Sequence, residues 1–145
     1  MDTFMQAAFD EALKGYEAGG VPIGSVIVHQ GKIIGRGHNQ RMQNGSPILH
    51  GEMAALEDAG RQSASVYRDS VIYTTLSPCS MCAGAIELYG FPKVVVGENR
   101  NFLGQEQRLR DAGVEVSVLQ DEQCIELMAR FIREHPEVWN EDIGE

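Results

Sequence analysis

Residues 70–75 (S-V-I-Y-T-T) are almost all β-branched or aromatic, and Pro78 follows three positions later. Such a run favours a strand. A proline just beyond it suits the first turn of a helix, where a missing N–H costs nothing. A strand feeding directly into a helix is half of a crossover unit, and chains built from such units fold as layered α/β structures. The flanking pattern agrees. Residues 3–18 place Phe4, Ala8, Leu13 and Tyr16 near helical spacing, and Gly19-Gly20 stops them. Residues 21–28 read as a buried strand, Gln30-Gly31 as a turn and residues 32–37 as its hairpin partner. Residues 39–46 read as a loop. Helices are expected at 50–59, 78–89, about 105–111 and 121–134, with strands at 93–96 and 114–119. The order α-β-β-α-β-α-β-α-β-α predicts one domain over 1–145. Its expected form is an α/β three-layer α-β-α sandwich: a five-stranded mixed, mostly parallel sheet with helices on both faces.

Charge and cysteine usage narrow the function. Lys plus Arg total 12 against 21 Asp plus Glu, a formal charge of −9. That is no electrostatic footprint for nucleic acid or an anionic membrane surface. No apolar run approaches the roughly eighteen residues of a membrane helix, and Met1-Asp2-Thr3-Phe4 has no basic, apolar leader pattern. Three cysteines, two of them three positions apart, make a poor disulfide framework. The expectation is a cytoplasmic protein with neither nucleic acid nor membrane as partner.

The chemistry-bearing residues lie in two short stretches, His50-Gly51-Glu52 and Pro78-Cys79-Ser80-Met81-Cys82. Cys79 and Cys82 share one face of a first helical turn, where free N–H groups and the helix dipole favour thiolates. Alone, C-x-x-C fits a zinc pair, a redox pair or two buried small side chains. His50 at a second helix start adds an imidazole. The other histidines, His29, His38 and His135, adjoin neither stretch. His50, Cys79 and Cys82 therefore form a three-ligand set with a fourth position left for water, a catalytic rather than structural arrangement. Gly51 leaves its N–H open to a ligand. Glu52 cannot be assumed to be a ligand, since a carboxylate is favoured at a helix start in any case. H-x-E followed by P-C-x-x-C is the signature of the zinc-dependent nucleobase deaminases.

The resemblance reaches well beyond the signature. The chain resembles the yeast-type cytosine deaminases of the cytidine/deoxycytidylate deaminase superfamily in residues 19–24, 35–39, 49–52, 73–79, 96–99, 101–102 and 141–145. It departs from them at Ser80, Ala83, Glu87 and Arg100 and in a shorter beginning and first hairpin. The resemblance implies a cytidine deaminase fold, one zinc per chain, a homodimer and a role in pyrimidine salvage. It also implies residue roles. Asn39 would bond the ring edge, the Gly51 N–H the base carbonyl and Asp142 the exocyclic amino group. Phe102, Trp139 and Ile143 would cover the base, and Ile23 and Leu76 would wall it. A bland reading stands beside each: Asn39 an Asx turn, Trp139 a surface anchor, Asp142 a frayed end.

The implied reaction is cytosine plus water giving uracil plus ammonia, with Glu52 shuttling protons. Deamination of another small amino-heterocycle, such as guanine or a creatinine-like ring, is the alternative. A non-catalytic zinc module lies further off. The helix after Pro78 carries Met81, Ala85, Ile86, Leu88 and Tyr89, more apolar surface than one packed face needs, which fits a dimer. Trp139 and Ile143, four apart, share a face if that segment is helical. Residues 139–145 are therefore expected to fold over the pocket as a lid whose removal spares stability.

Overall fold

The structure, a computed structural model, describes residues 1–145. Thirteen elements follow in chain order: α1 (Thr3–Glu17), β1 (Gly24–His29), β2 (Lys32–His38), α2 (Arg41–Asn44), α3 (Gly51–Ala59), α4 (Ala64–Arg68), β3 (Ser70–Leu76), α5 (Ser80–Tyr89), β4 (Lys93–Glu98), α6 (Glu106–Asp111), β5 (Glu115–Val118), α7 (Glu122–Glu134) and α8 (Pro136–Asp142). The five strands form one mixed sheet in the order β2-β1-β3-β4-β5. β1 runs antiparallel to both β2 and β3, while β3, β4 and β5 are mutually parallel.

Alternation along the central strands divides the core into two layers, because successive side chains leave a strand on opposite faces. Ile27 of β1 and Val94 and Val96 of β4 pack with Ala55, Ala83, Ile86 and Leu109 of α3, α5 and α6. Val26 and Val28 of β1 and Val95 of β4 pack with Met5, Ala8, Ala12 and Leu127 of α1 and α7. Burial on both faces explains why these strands read as continuous apolar runs. α1 starts where the Asp2 carboxylate accepts from the N–H groups of Phe4 and Met5, at 2.7 and 3.2 Å. α7 starts likewise on Asp121, which accepts from the Cys124 N–H at 3.0 Å. No helix is long and apolar enough to cross a membrane.

Three helices escape the sequence pattern. α2, with four residues, lies in the expected loop, and α4, with five, lies between α3 and β3. Neither is long enough to show a helical period. The third is α8. Pro136 ends α7 as expected but is also the first residue of α8, the one helical position where proline is favoured. The strand expected from residue 21 begins at Gly24. Val21 and Ile23 are buried but belong to a third apolar cluster with Leu76, Met128, Phe131 and Trp139. That cluster caps the end of the sheet at which β3 and β4 finish. Ligands of open α/β sheets bind beyond the carboxyl ends of the strands, and the site lies there.

Candidate active site

α3 and α5 both begin at this end of the sheet. His50 is the N-cap of α3 and Cys79 the N-cap of α5, each in extended backbone, and Cys82 follows in the first turn of α5. Cys79, expected inside that turn, precedes it by one position. The two helix starts bring one imidazole nitrogen and two sulfurs within 4.8 Å of one another. His50 Nδ1 lies 3.4 Å from Cys79 Sγ and 3.8 Å from Cys82 Sγ. With Zn–S near 2.3 Å and Zn–N near 2.0–2.1 Å, a tetrahedral ion holds such a pair about 3.6 Å apart. The three donors thus fit zinc in kind and in spacing, and both cysteines are free thiols.

Among themselves the protein groups already favour charge at this point. Cys79 is drawn down to about 4 by the hydrogen bond from Cys82 and by His50, against its burial. Cys82 is pushed up by its hydrogen bond to Cys79 and by burial. Burial opposes charge on His50, but Cys79, Asp142 and Glu52 together lift it to about 9. A bound dication takes both sulfurs as thiolates.

Glu52 is fully enclosed, and burial, then the Cys79 charge, raises its carboxyl from 4.5 to about 7. A carboxyl group so buried beside the three donors is placed to carry a proton. Gly51 is needed for a reason its sequence position did not reveal. A Cβ there would stand 2.9 Å from the Ile23 carbonyl oxygen, so only glycine lets α3 start this close to the chain entering β1.

Above these groups lies a small pocket. Its floor is His50, Glu52 and Cys79, its walls Ile23, Leu76 and Ser77, and its cover Phe102, Trp139, Asp142 and Ile143. Every residue anticipated for the base pocket therefore lines it except Asn39 and Gly51. Asn39 is fully buried and makes two contacts. Its side-chain oxygen accepts from the Arg41 N–H at 3.1 Å, as an Asx turn would. Its amide nitrogen donates to Asp142 Oδ1 at 2.7 Å. The other Asp142 oxygen faces His50 Nε2 at 3.5 Å, where a carboxylate orients a metal-binding imidazole. Asp142 is no frayed end: it is 8% exposed, and burial raises its pKa against the pull of His50 and Asn39.

α8 is held from below as well as from the side. Trp139 packs edge-on against Phe102, with ring centroids 5.8 Å apart, and sits in the third core cluster. That placement corrects the expectation that residues 139–145 are dispensable for stability. Arg41, which the sequence reading passed over, lies 3.4 Å from Glu141 and 3.9 Å from Asp142 and so joins α2 to α8. Ser77 was missed too, although it stands between Leu76 and Pro78; a lone serine in a loop carries no periodic signal. Ser80, Ala83, Glu87 and Arg100, the departures from the yeast-type pattern, are absent from the lining. Cys124 lies in α7, its thiol pushed up by burial, and serves packing alone.

Residues 1–98 match the family model described as the cytidine and deoxycytidylate deaminase zinc-binding region. The chain belongs to this deaminase family. Zinc is the metal of this family, and the His50, Cys79 and Cys82 donor set fits it. The chain is 60% identical to a cytosine deaminase of Candida albicans over 142 residues, covering 97% of this chain and 95% of that one. It is 36% identical to a tRNA-specific adenosine deaminase of Bacillus subtilis, covering 92% and 89% respectively. Among solved structures, one from a study of A-to-I editing by tRNA:A34 deaminases superposes with a TM-score of 0.74 at 27% identity, covering 86% of this chain and 97% of that one. A guanine deaminase from Nitrosomonas europaea superposes equally well, with a TM-score of 0.74 at 19% identity, over 88% of this chain and 82% of that one. At that identity it bears on the fold alone, and the shared fold is the three-layer sandwich expected from the sequence.

Proposed function

We propose that this deaminase acts on free cytosine, releasing uracil and ammonia. The observation that carries this reading is enclosure. The pocket above His50, Glu52 and Cys79 is small and is closed on its far side by Phe102, Trp139, Asp142 and Ile143. Roofed by α8, it suits one small ring better than a base carried on a sugar-phosphate backbone. The net charge of −9 points the same way against a tRNA substrate, and the Candida albicans relative is named for cytosine.

Zinc, when bound, supplies a Lewis acid that brings the pKa of a water towards about 7. The side chains supply the rest. Glu52 takes a proton from the attacking water and delivers it to ring N3 as oxygen bonds to C4. It then carries the second proton to the amino nitrogen, and the C4–N bond breaks to release ammonia. The family resemblance assigns the ring edge to Asn39, the base carbonyl to the Gly51 N–H and the amino group to Asp142. Asn39 and Asp142, bonded to each other at 2.7 Å, are held as one unit before a base arrives. Ile23 and Leu76 wall the ring, while Phe102, Trp139 and Ile143 exclude water above it, strengthening those polar contacts.

A homodimer completes the reading. Leu88 and Tyr89 of α5 are 74% and 44% exposed, and Tyr89 borders a mixed hollow whose lining includes Met53, Leu56 and Tyr67 beside Glu57, Arg61 and Gln62. Ile86, counted with them from sequence, points into the core. The protein is read as cytoplasmic and as serving pyrimidine salvage. Ammonia release from purified, zinc-loaded protein across cytosine, cytidine, guanine, adenine, creatinine and tRNA tests the substrate. Cytosine should be turned over fastest, and faster release from any of the others overturns the assignment.

A further inference from the structure

Phe102 reaches the cavity from residues 99–105, the loop between β4 and α6, and two buried carboxyl groups outside the proposed chemistry tie that loop down. Glu98, the last residue of β4, is wholly buried. One of its oxygens accepts from the backbone N–H groups of Arg100 and Asn101, at 2.7 and 2.9 Å, and the other from the Asn101 side-chain amide at 2.9 Å. The same amide nitrogen donates to the Ile125 carbonyl of α7 at 2.9 Å. At the far end of the loop, Glu106 accepts from Ser77 Oγ at 2.6 Å, and Ser77 Oγ accepts from the Gly104 N–H at 2.9 Å. A Cβ on Gly104 would lie 2.0 Å from the Pro78 carbonyl oxygen, so the loop runs flush against the segment that carries Cys79. Phe102 stands between these anchors.

We propose that Glu98 is a positioning residue of the deaminase, folding residues 100–101 onto its carboxylate so that Phe102 closes against Trp139 over the pocket. Burying a carboxylate is costly unless its oxygens are satisfied, and the end of a strand needs none. All of its partners are donors, and only a carboxylate offers an acceptor on both oxygens; glutamine would turn an NH₂ towards one of them. The consequence for turnover rests on the free-base reading above, whereas the consequence for the cover does not.

Trp139 is the chain's single tryptophan and is 6% exposed, so its fluorescence reports the cover directly. In Glu98→Gln, acrylamide quenching of Trp139 should rise towards the level of Phe102→Ala, and the double variant should go no further than Phe102→Ala. KM for cytosine should rise roughly 5- to 150-fold, the range for one unsatisfied buried donor, with kcat changed far less. In the Phe102→Ala background the same substitution should leave KM unmoved, the non-additivity expected of residues acting as one unit. Asn101→Ala, which removes one donor and keeps Glu98, should show the same pattern even if Glu98→Gln does not fold. Val28→Ala, in the α1–α7 layer, should lower the melting temperature without moving quenching or KM. Parental quenching in folded Glu98→Gln and Asn101→Ala overturns the proposal, and so does a KM increase of equal factor with and without Phe102. The expected quenching pattern in a protein inert towards cytosine would sink the substrate assignment and uphold the role of Glu98.

Discussion

Glu52→Gln separates the proposed proton carrier from the fold, because it keeps the size of the side chain and removes its titration. Burial first, then the Cys79 charge, moves the carboxyl from 4.5 to about 7. At 1.36 kcal/mol per tenfold change in proton affinity, ionising Glu52 costs about 3 kcal/mol more in the folded protein than in the unfolded chain. The folded pKa lies above the unfolded one, which fixes the sign. Below 4.5 both states hold the proton and Glu52 contributes nothing. Between 4.5 and about 7 the unfolded chain loses its proton first, so stability falls as pH rises; above that window the full cost is present. Glutamine does not titrate. In protein stripped of metal with a chelator, urea unfolding should therefore find Glu52→Gln and the parent alike near pH 4, and the variant more stable by about 3 kcal/mol near pH 8. The zinc-loaded variant should retain its metal and lose roughly 10²–10⁴-fold in kcat. Near-parental turnover would show that another group moves the proton. No gain in stability near pH 8 would refute the burial argument.

Metal analysis should give about one zinc per chain, and Cys79→Ser or Cys82→Ser should lose it; an active, metal-free protein with Cys79 and Cys82 disulfide-bonded would contradict the site. Trp139→Ala should cost about 3–5 kcal/mol by opening a cavity among Val21, Ile23, Leu76, Met128 and Phe131, and should raise KM for cytosine; a melting temperature equal to the parent's would return α8 to a dispensable lid. Sedimentation at micromolar concentration should give a dimer for the parent and a monomer for Leu88→Glu. A parent of monomer mass would remove the interface.

Much of the site could be read from the chain because its chemistry is local. His50 and Glu52 are two apart, Cys79 and Cys82 three, and each pair opens a helix whose start the neighbouring residues announce. Residue type and spacing are enough for that, since the backbone geometry of a first turn is nearly fixed. The apolar strand runs similarly foretold a sheet covered on both faces.

What the sequence alone could not determine is set by groups far apart in it. Asn39 meets Asp142 across 103 positions, and Glu106 meets Ser77 across 29. Nothing periodic marks Glu98 or Glu106, which look like any surface carboxylates until the loop closes on them. Pro136 reads equally as a stop and as a start, and only docking on the third core cluster decides that α8 follows. The sequence determined which residues are proposed as metal donors and proton carrier, because short-range backbone geometry places them. The tertiary structure decided the cover and the shape of the pocket, because those depend on which distant surfaces bury each other.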